Sequence, residues 1–369
     1  MNKKTTAARR YKNYVISAVI LILLSAAVVV AVRGLEMKPA VSPTESFIKR
    51  HMMNANGTLA TYLKHSKSEH EDIVAGREAL SESLGLWMQY ALLIKNHALF
   101  QEGYEQLMNN YVTPQQYIAW KRDSDGAIHA NTNALGDDFR IVGSLLKAAK
   151  LWEEEHYLKT AKAISETLLS KVRKDGYYTD FYDFAREELP DTLSLVYIDS
   201  AALAMMLDAG FIDKSIFDRH ADLLRHMPDD GLFYPKVYDI AAREYRYDAS
   251  VNLIDQLIVA IHRTTLGGNT DVLASFLKTE FSQEHKLMGR YDRASRAQEV
   301  SYESPAVYGL AILLAVEQDD RAWAKQLHER MIALRSTDAL YSGGYVFDGN
   351  THLFDNLLPL LAETALKVR

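Results

Sequence analysis

No cysteine occurs among the 369 residues. That absence excludes disulfide frameworks, thiolate zinc sites and cysteine nucleophiles together. Proline is scarce at eight residues and glycine is modest at 18, so collagen-like and Pro/Gly low-complexity architectures are excluded as well. The chain carries no GxGxxG or GxxxxGK[ST] phosphate loop, no GxSxG elbow and no HExxH zinc motif. Basic charge is short everywhere except at the start. Residues 1–33 hold six basic groups and no acid, which leaves 36 basic against 48 acidic groups in the remainder, a net of −12. An acidic body is repelled by phosphate backbones, so nucleic acid is not an expected partner.

One long hydrophobic run is present. Val15 to Val32 reads VISAVILILLSAAVVVAV, eighteen residues without a charge. At ~1.5 Å per residue such a run approaches the ~30 Å hydrocarbon core of a bilayer. Lys3, Lys4, Arg9, Arg10 and Lys12 precede it and only Arg33 follows closely. The positive-inside rule then predicts a cytoplasmic tail over residues 1–14, a single-pass anchor over 15–32 and an extracellular body. The alternative is a cleaved signal peptide ending near Val29-Val30-Ala31, which would release the body as a secreted protein. Residues 33–45, with Pro39 and Pro43, read as a tether. The lack of cysteine beside the run argues against a lipid-modified lipoprotein.

From residue 46 to 369 apolar residues recur at helical spacing with little strict alternation. Ile141, Leu145, Ala148 and Trp152 form one stripe, and Tyr157, Ala161, Ile164 and Leu168 another. Leu203, Met206 and Leu207 form a third, with Gly210 as its C-terminal stop. Further helices are predicted over Leu253–Thr265, Pro305–Val316, Ala322–Leu334 and Leu353–Lys367. Asp-Gly and Gly-Gly turns separate them, at Asp125-Gly126, Asp175-Gly176, Asp230-Gly231, Gly267-Gly268, Gly343-Gly344 and Asp348-Gly349. The expected fold is all-α, a closed toroid of six helical hairpins forming one domain; an open helical solenoid is the alternative. Tyr, Phe and Trp cluster near the turns. Aromatic faces in a wet cleft suit sugar rings, although most aromatics in any fold fill the core.

Three acidic spots stand out. Glu82 lies in Ser81-Glu82-Ser83-Leu84-Gly85-Leu86-Trp87, where Ser81 or Ser83 could cap a helix. The helix dipole favours ionised Glu82. A general acid needs the opposite, so burial near Trp87 or a second carboxylate must outweigh the dipole. Asp137 and Asp138 open the helix bearing Ile141. Asp248 stands in Tyr245-Arg246-Tyr247-Asp248-Ala249 at the entry to another. Each alone reads as ordinary charge placement at a helix start.

Together they resemble glycoside hydrolase family 8. Ser81 to Met88 is similar to that family's Ser-Glu-Gly-Gln-Gly-Tyr-Gly-Met stretch, and Ala134 to Trp152 to its Ala-Thr-Asp-Ala-Asp signature without a gap. Asp138, Ile141, Ser144, Leu145, Ala148 and Trp152 fall in register, and Tyr247-Asp248-Ala249 repeats the family's Tyr-Asp-Ala segment. Ser301-Tyr302-Glu303-Ser304-Pro305 and Phe354-Asp355-Asn356-Leu357-Leu358 fall where the family places later barrel helices. Departures exist. Gly136 replaces the signature's first Asp, and Val251 an Arg that commonly follows the Asp-Ala segment.

The resemblance implies an (α/α)6 barrel that hydrolyses a β-linked, glucan-like exopolysaccharide with inversion. Glu82 would be the general acid and Asp248 the general base. Asp138 and Asp137 would grip the sugar at the cleaved bond, and Trp87, Tyr247 and Tyr302 would line other subsites. It implies no metal and no organic cofactor. The expected partners are the polysaccharide, the membrane and the exopolysaccharide synthesis machinery. Gly136 and Val251 keep a second function open, a catalytically impaired, membrane-anchored polysaccharide-binding protein that assists synthesis or export. An external scaffold for partner proteins is a third.

Overall fold

The computed structural model describes residues 41–368, apart from 69, 71–72 and 128–129. The expected anchor over 15–32, the tail before it and most of the tether lie outside the described residues. Among the described residues no helix is long and apolar enough to cross a membrane.

Twelve α-helices are present in this region: α1 (Pro43–His51), α2 (Ser81–Leu93), α3 (His97–Gln106), α4 (Leu135–Trp152), α5 (Glu155–Lys171) and α6 (Ser200–Asp208), then α7 (Lys214–Arg225), α8 (Leu253–Thr265), α9 (Asp271–Glu284), α10 (Pro305–Glu317), α11 (Arg321–Ala333) and α12 (Phe354–Val368). Composition sorts them into two layers. In α10 apolar residues go all round the helix, and it is buried from Pro305 to Val316 except at Leu313. A helix of that kind has neighbours on every side. By contrast α7 buries Ile216, His220, Ala221, Leu223 and Leu224 and turns its other polar residues outward.

The inner layer is a closed ring. Helix α2 packs on α4, α4 on α6, α6 on α8, α8 on α10, α10 on α12, and α12 returns to α2. Each of the first five inner helices is followed by a tight turn and an outer helix. Asn96, Asp213 and Asp320 cap outer helices at these turns, their side chains accepting from Leu99, Ile216 and Trp323 N–H. Because outer helices carry the chain back, the inner helices run parallel and their N-termini gather at one mouth. The sixth hairpin is assembled from both ends of the domain, since α1 packs on α12. Thr44 donates to Gly343 O, and Arg335 reaches both Thr44 Oγ1 and Glu363 Oε1.

The long connections all arrive at the mouth with the inner N-termini, and short antiparallel strands tie them together. β1 (Ala79–Leu80) pairs with β2 (Lys121–Arg122), and β3 (Arg173–Lys174) with β4 (Tyr177–Tyr178). β5 (Thr192–Ser194), β6 (Val237–Asp239) and β7 (Glu244–Arg246) form a three-stranded sheet in register Leu193, Tyr238, Tyr245. β8 (Ser250–Asn252) pairs with β9 (Arg290–Asp292).

Three local expectations are corrected. Neither Ser81 nor Ser83 caps α2, whose N-cap is Leu80 with no side-chain cap. Asp248 does not enter a helix; it sits between β7 and β8, and Asn252 caps α8 by accepting from Ile254 N–H. Trp87 is 4% exposed and packs on Tyr90 with ring centroids 5.5 Å apart, so it belongs to the core and offers no face to a sugar.

Candidate active site

The site begins where β1 meets α2. Pairing of Leu80 with Lys121 and donation from Ser81 N–H to Trp120 O fix the first turn of α2 against the connection that leads to α4. Glu82 follows, half-buried. On the facing first turn of α4, Asp137 accepts from Ser81 Oγ at 2.6 Å and from Arg140 Nη1 at 3.1 Å, and the Glu82 backbone N–H also donates to it. Burial, and then the neighbouring Asp137 carboxylate, push the Glu82 carboxyl up to about 7, while Arg140 pulls the other way. Burial raises Asp137 too, but its three donors all favour the charged form. The proton shared by this pair therefore belongs on Glu82, which is the state a general acid requires. The dipole of α2 is outweighed by burial first and by the second carboxylate after it. Trp87 takes no part.

Asp138 points elsewhere. It is 1% exposed, and its Oδ2 accepts from Asn133 Nδ2 at 2.6 Å while Asn133 Oδ1 accepts from Tyr182 N–H at 2.7 Å. Its Oδ1 is buried with no partner among the described residues, and burial pushes the carboxyl well up. A carboxyl so enclosed braces the connection before α4 and is shut off from the mouth, unlike the sugar contact expected of it.

Gly136 has a structural counterpart. A Cβ at Gly136 would collide with the ring of Tyr197, from the Leu195–Tyr197 turn that packs between α4 and α8. Burial, with Asp137, Asp180 and Glu82 nearby, pushes the Tyr197 phenol up. It therefore stays a neutral O–H beside the carboxyl pair. No sequence signal marks Tyr197, because a three-residue turn has no period.

Asp248 lies on the opposite sector of the mouth, before α8, and α8 is three places from α2 around the ring of six inner helices. Its Oδ2 is 3.0 Å from Lys236 Nζ, and Lys236 O accepts from Leu195 N–H. The Leu195–Tyr197 turn thus spans from the Asp248 side to the Glu82 side. Tyr247 is 40% exposed, and Arg293 stacks on its ring at 4.9 Å. Tyr302 is 55% exposed beside Gly289, and with Phe347 it flanks an open groove of about 560 Å³ that runs along the starts of α8, α10 and α12. Within that groove Glu303 is held by Arg330 and Tyr308, and Asp355 by Ser304 Oγ and Ala306 N–H. Trp120, half-buried beside Ser81, is a further aromatic at the acid's side that the motifs did not point to.

The mouth thus carries a raised carboxyl at Glu82 on one sector, a salt-bridged carboxylate at Asp248 on the opposite one, and the exposed rings of Tyr247 and Tyr302. The profile described as Glycosyl hydrolases family 8 matches residues 42–175. The candidate lipoprotein YdaJ of Bacillus subtilis (strain 168) is 39% identical over 330 residues, covering 88% of this chain and 87% of that protein. An α-amylase from Clostridium perfringens shares the fold at a TM-score of 0.79 and 23% identity, covering 87% of this chain and 96% of that one. The endo-β-1,4-glucanase CMCax from Acetobacter xylinum does so at 0.61 and 15%, covering 89% and 98%. With the profile falling on Glu82 and Asp137, and a relative at this identity along nearly its whole length, the chain belongs to glycoside hydrolase family 8 and is a glycosidase.

Proposed function

We propose that this protein is an inverting, endo-acting glycosidase working outside the membrane on a β-linked, glucan-like exopolysaccharide, with Glu82 as general acid and Asp248 as general base. The observation that carries the reading is a carboxyl held protonated near neutrality, at Glu82, on the sector of one mouth opposite a salt-bridged carboxylate, Asp248. Glu82 gives its proton to the leaving glycosidic oxygen. Asp248 takes a proton from water, which attacks the anomeric carbon from the opposite face. Room for that water requires carboxyls roughly 6.5–9.5 Å apart. Asp137, Tyr247 and Tyr302 contact the sugars. The basic tail and the run over 15–32 support a membrane anchor, and the lipoprotein name of the Bacillus relative supports an external, membrane-associated body. In a chain without cysteine the anchor is the apolar run itself. An exopolysaccharide synthesis machinery in the same membrane is the partner this reading expects.

The two structural neighbours differ in linkage, one an α-amylase and one an endo-β-1,4-glucanase, so the test uses a panel of both linkage types. Glu82→Gln and Asp248→Asn are each expected to lower kcat at least about a thousandfold with the fold intact. Newly formed reducing ends should appear by NMR with inverted configuration. Full activity in either variant, or retained configuration, overturns the assignment. Gly136 favours a second reading, a glycan-binding protein without catalysis, which predicts binding of a panel member with no reducing ends released by the wild type.

A further inference from the structure

Asp248 shares its cation. Lys236 Nζ stands 3.0 Å from Asp248 Oδ2 and 3.9 Å from Asp255 Oδ2, a carboxylate in the first turn of α8. The Lys236 backbone is fixed on both sides, its N–H donating to Arg246 O and its C=O accepting from Leu195 N–H. The other charged groups nearby are otherwise engaged or more distant. Arg293 donates to the Asp248 backbone oxygen and pairs with Asp230, and Arg290 acts on Asp255. Burial and the Asp248 charge raise the Asp255 carboxyl, while Lys236 and Arg290 hold it down. Val251, where the family pattern commonly has an Arg, is 1% exposed inside β8. The cation beside the base is therefore supplied from earlier in the same α7–α8 connection, by Lys236 immediately before β6.

We propose that Lys236 is a positioning residue for the general base and that Asp255 is a second seat for its ammonium during turnover. The inference rests on Asp248 being the base. In the resting cleft Lys236 engages one carboxylate oxygen and leaves the other for the attacking water. As the water oxygen bonds to the anomeric carbon, its proton passes to Asp248. The glycosidic C–O bond breaks and the leaving oxygen takes the Glu82 proton. Asp248 is then neutral and holds the ammonium only weakly, while Asp255 keeps its charge and attracts Nζ. With the cleft filled by polysaccharide and bulk water excluded, this transfer spares the product complex an unpaired cation beside a protonated base.

The test is the pH dependence of kcat/KM for the full-length wild type and for Lys236→Met, Lys236→Arg, Asp255→Asn and Asp248→Asn. An ammonium beside a carboxylate favours its charged form and a like charge disfavours it. Lys236→Met should therefore move the acidic limb up by about 0.5–1 pH unit, and Asp255→Asn should move it down by a similar amount. Both should leave the basic limb in place, and Lys236→Arg should restore the wild-type limb. An unmoved acidic limb in Lys236→Met, with Asp248→Asn inactive, overturns this inference and leaves the base assigned. An active Asp248→Asn overturns the assignment of the base and this inference with it.

Discussion

A carboxyl in the first turn of a helix ordinarily ionises more easily, because the unpaired N–H groups there favour negative charge by about 0.3–1 kcal/mol. Glu82 runs against that trend because one pKa unit is already about 1.4 kcal/mol and its rise, from 4.5 to about 7, exceeds what the dipole offers. Two measurable effects follow from one proton. As an acid, Glu82 must be protonated, so kcat/KM should fall about tenfold per unit as pH rises beyond about 7. As a buried group whose folded form is raised, it stabilises the fold least where it must be charged. Between pH 4.5 and about 7 the wild type loses stability that a Gln at this position does not lose. Denaturant unfolding should show Glu82→Gln gaining on the wild type across that window, by about 3 kcal/mol at pH 8. A difference that is flat with pH would mean the proton sits on Asp137 instead.

Helices were legible where packing demands a stripe and less so where it does not. Leu253–Thr265 coincides with α8, and Pro305–Val316, Ala322–Leu334 and Leu353–Lys367 fall within a residue of α10, α11 and α12. These segments carry dense apolar periods that an interior enforces. The residues that complete the site lie in connections instead. Lys236 precedes a strand of three residues and Tyr197 ends a turn of three, both too short for any period to register. Ser81 looked like a cap by residue type, yet its hydroxyl serves Asp137, a partner fifty-six positions away. Asp138 and Trp87 sit beside motif residues in sequence, but helix geometry sends both inward. Gly309 shows how closely the inner elements fit. A Cβ there would lie 2.8 Å from Leu358 C, 2.9 Å from Leu358 O and 3.0 Å from Pro359 N, all backbone of α12 that cannot swing aside. Alanine is a better helix former than glycine by about 1 kcal/mol, but overpacking of this kind costs about 1–3 kcal/mol. Gly309→Ala should therefore lower stability in thermal unfolding despite the gain in propensity; a rise in Tm would show that α10 and α12 can separate.

At the scale of the molecule the ring is closed by a small polar cluster. Arg335 joins Thr44 in α1 to Glu363 in α12, Tyr345 also donates to Glu363, and Tyr90 in α2 donates to Glu45 in α1. Glu363 is 4% exposed, so its charge depends on these partners. Replacing Arg335 by Met would strand it, at a cost of about 3–5 kcal/mol. Denaturant titration of Arg335→Met should show that loss in a single transition, because every inner helix touches two others and none can leave alone. A second, earlier transition would mean the sixth hairpin is an independent unit. The same closure has a topological meaning. Arg335 meets α1 near its start and α12 near its end, so Pro43 and Val368 lie at the same end of the ring, where any other hairpin would have its tight turn. The order of helices along the polypeptide is thus incidental to the toroid. A chain joined there and opened instead at Gly267 would present the same twelve helices as a circular permutant, with Glu82 and Asp248 still on opposite sectors of one mouth.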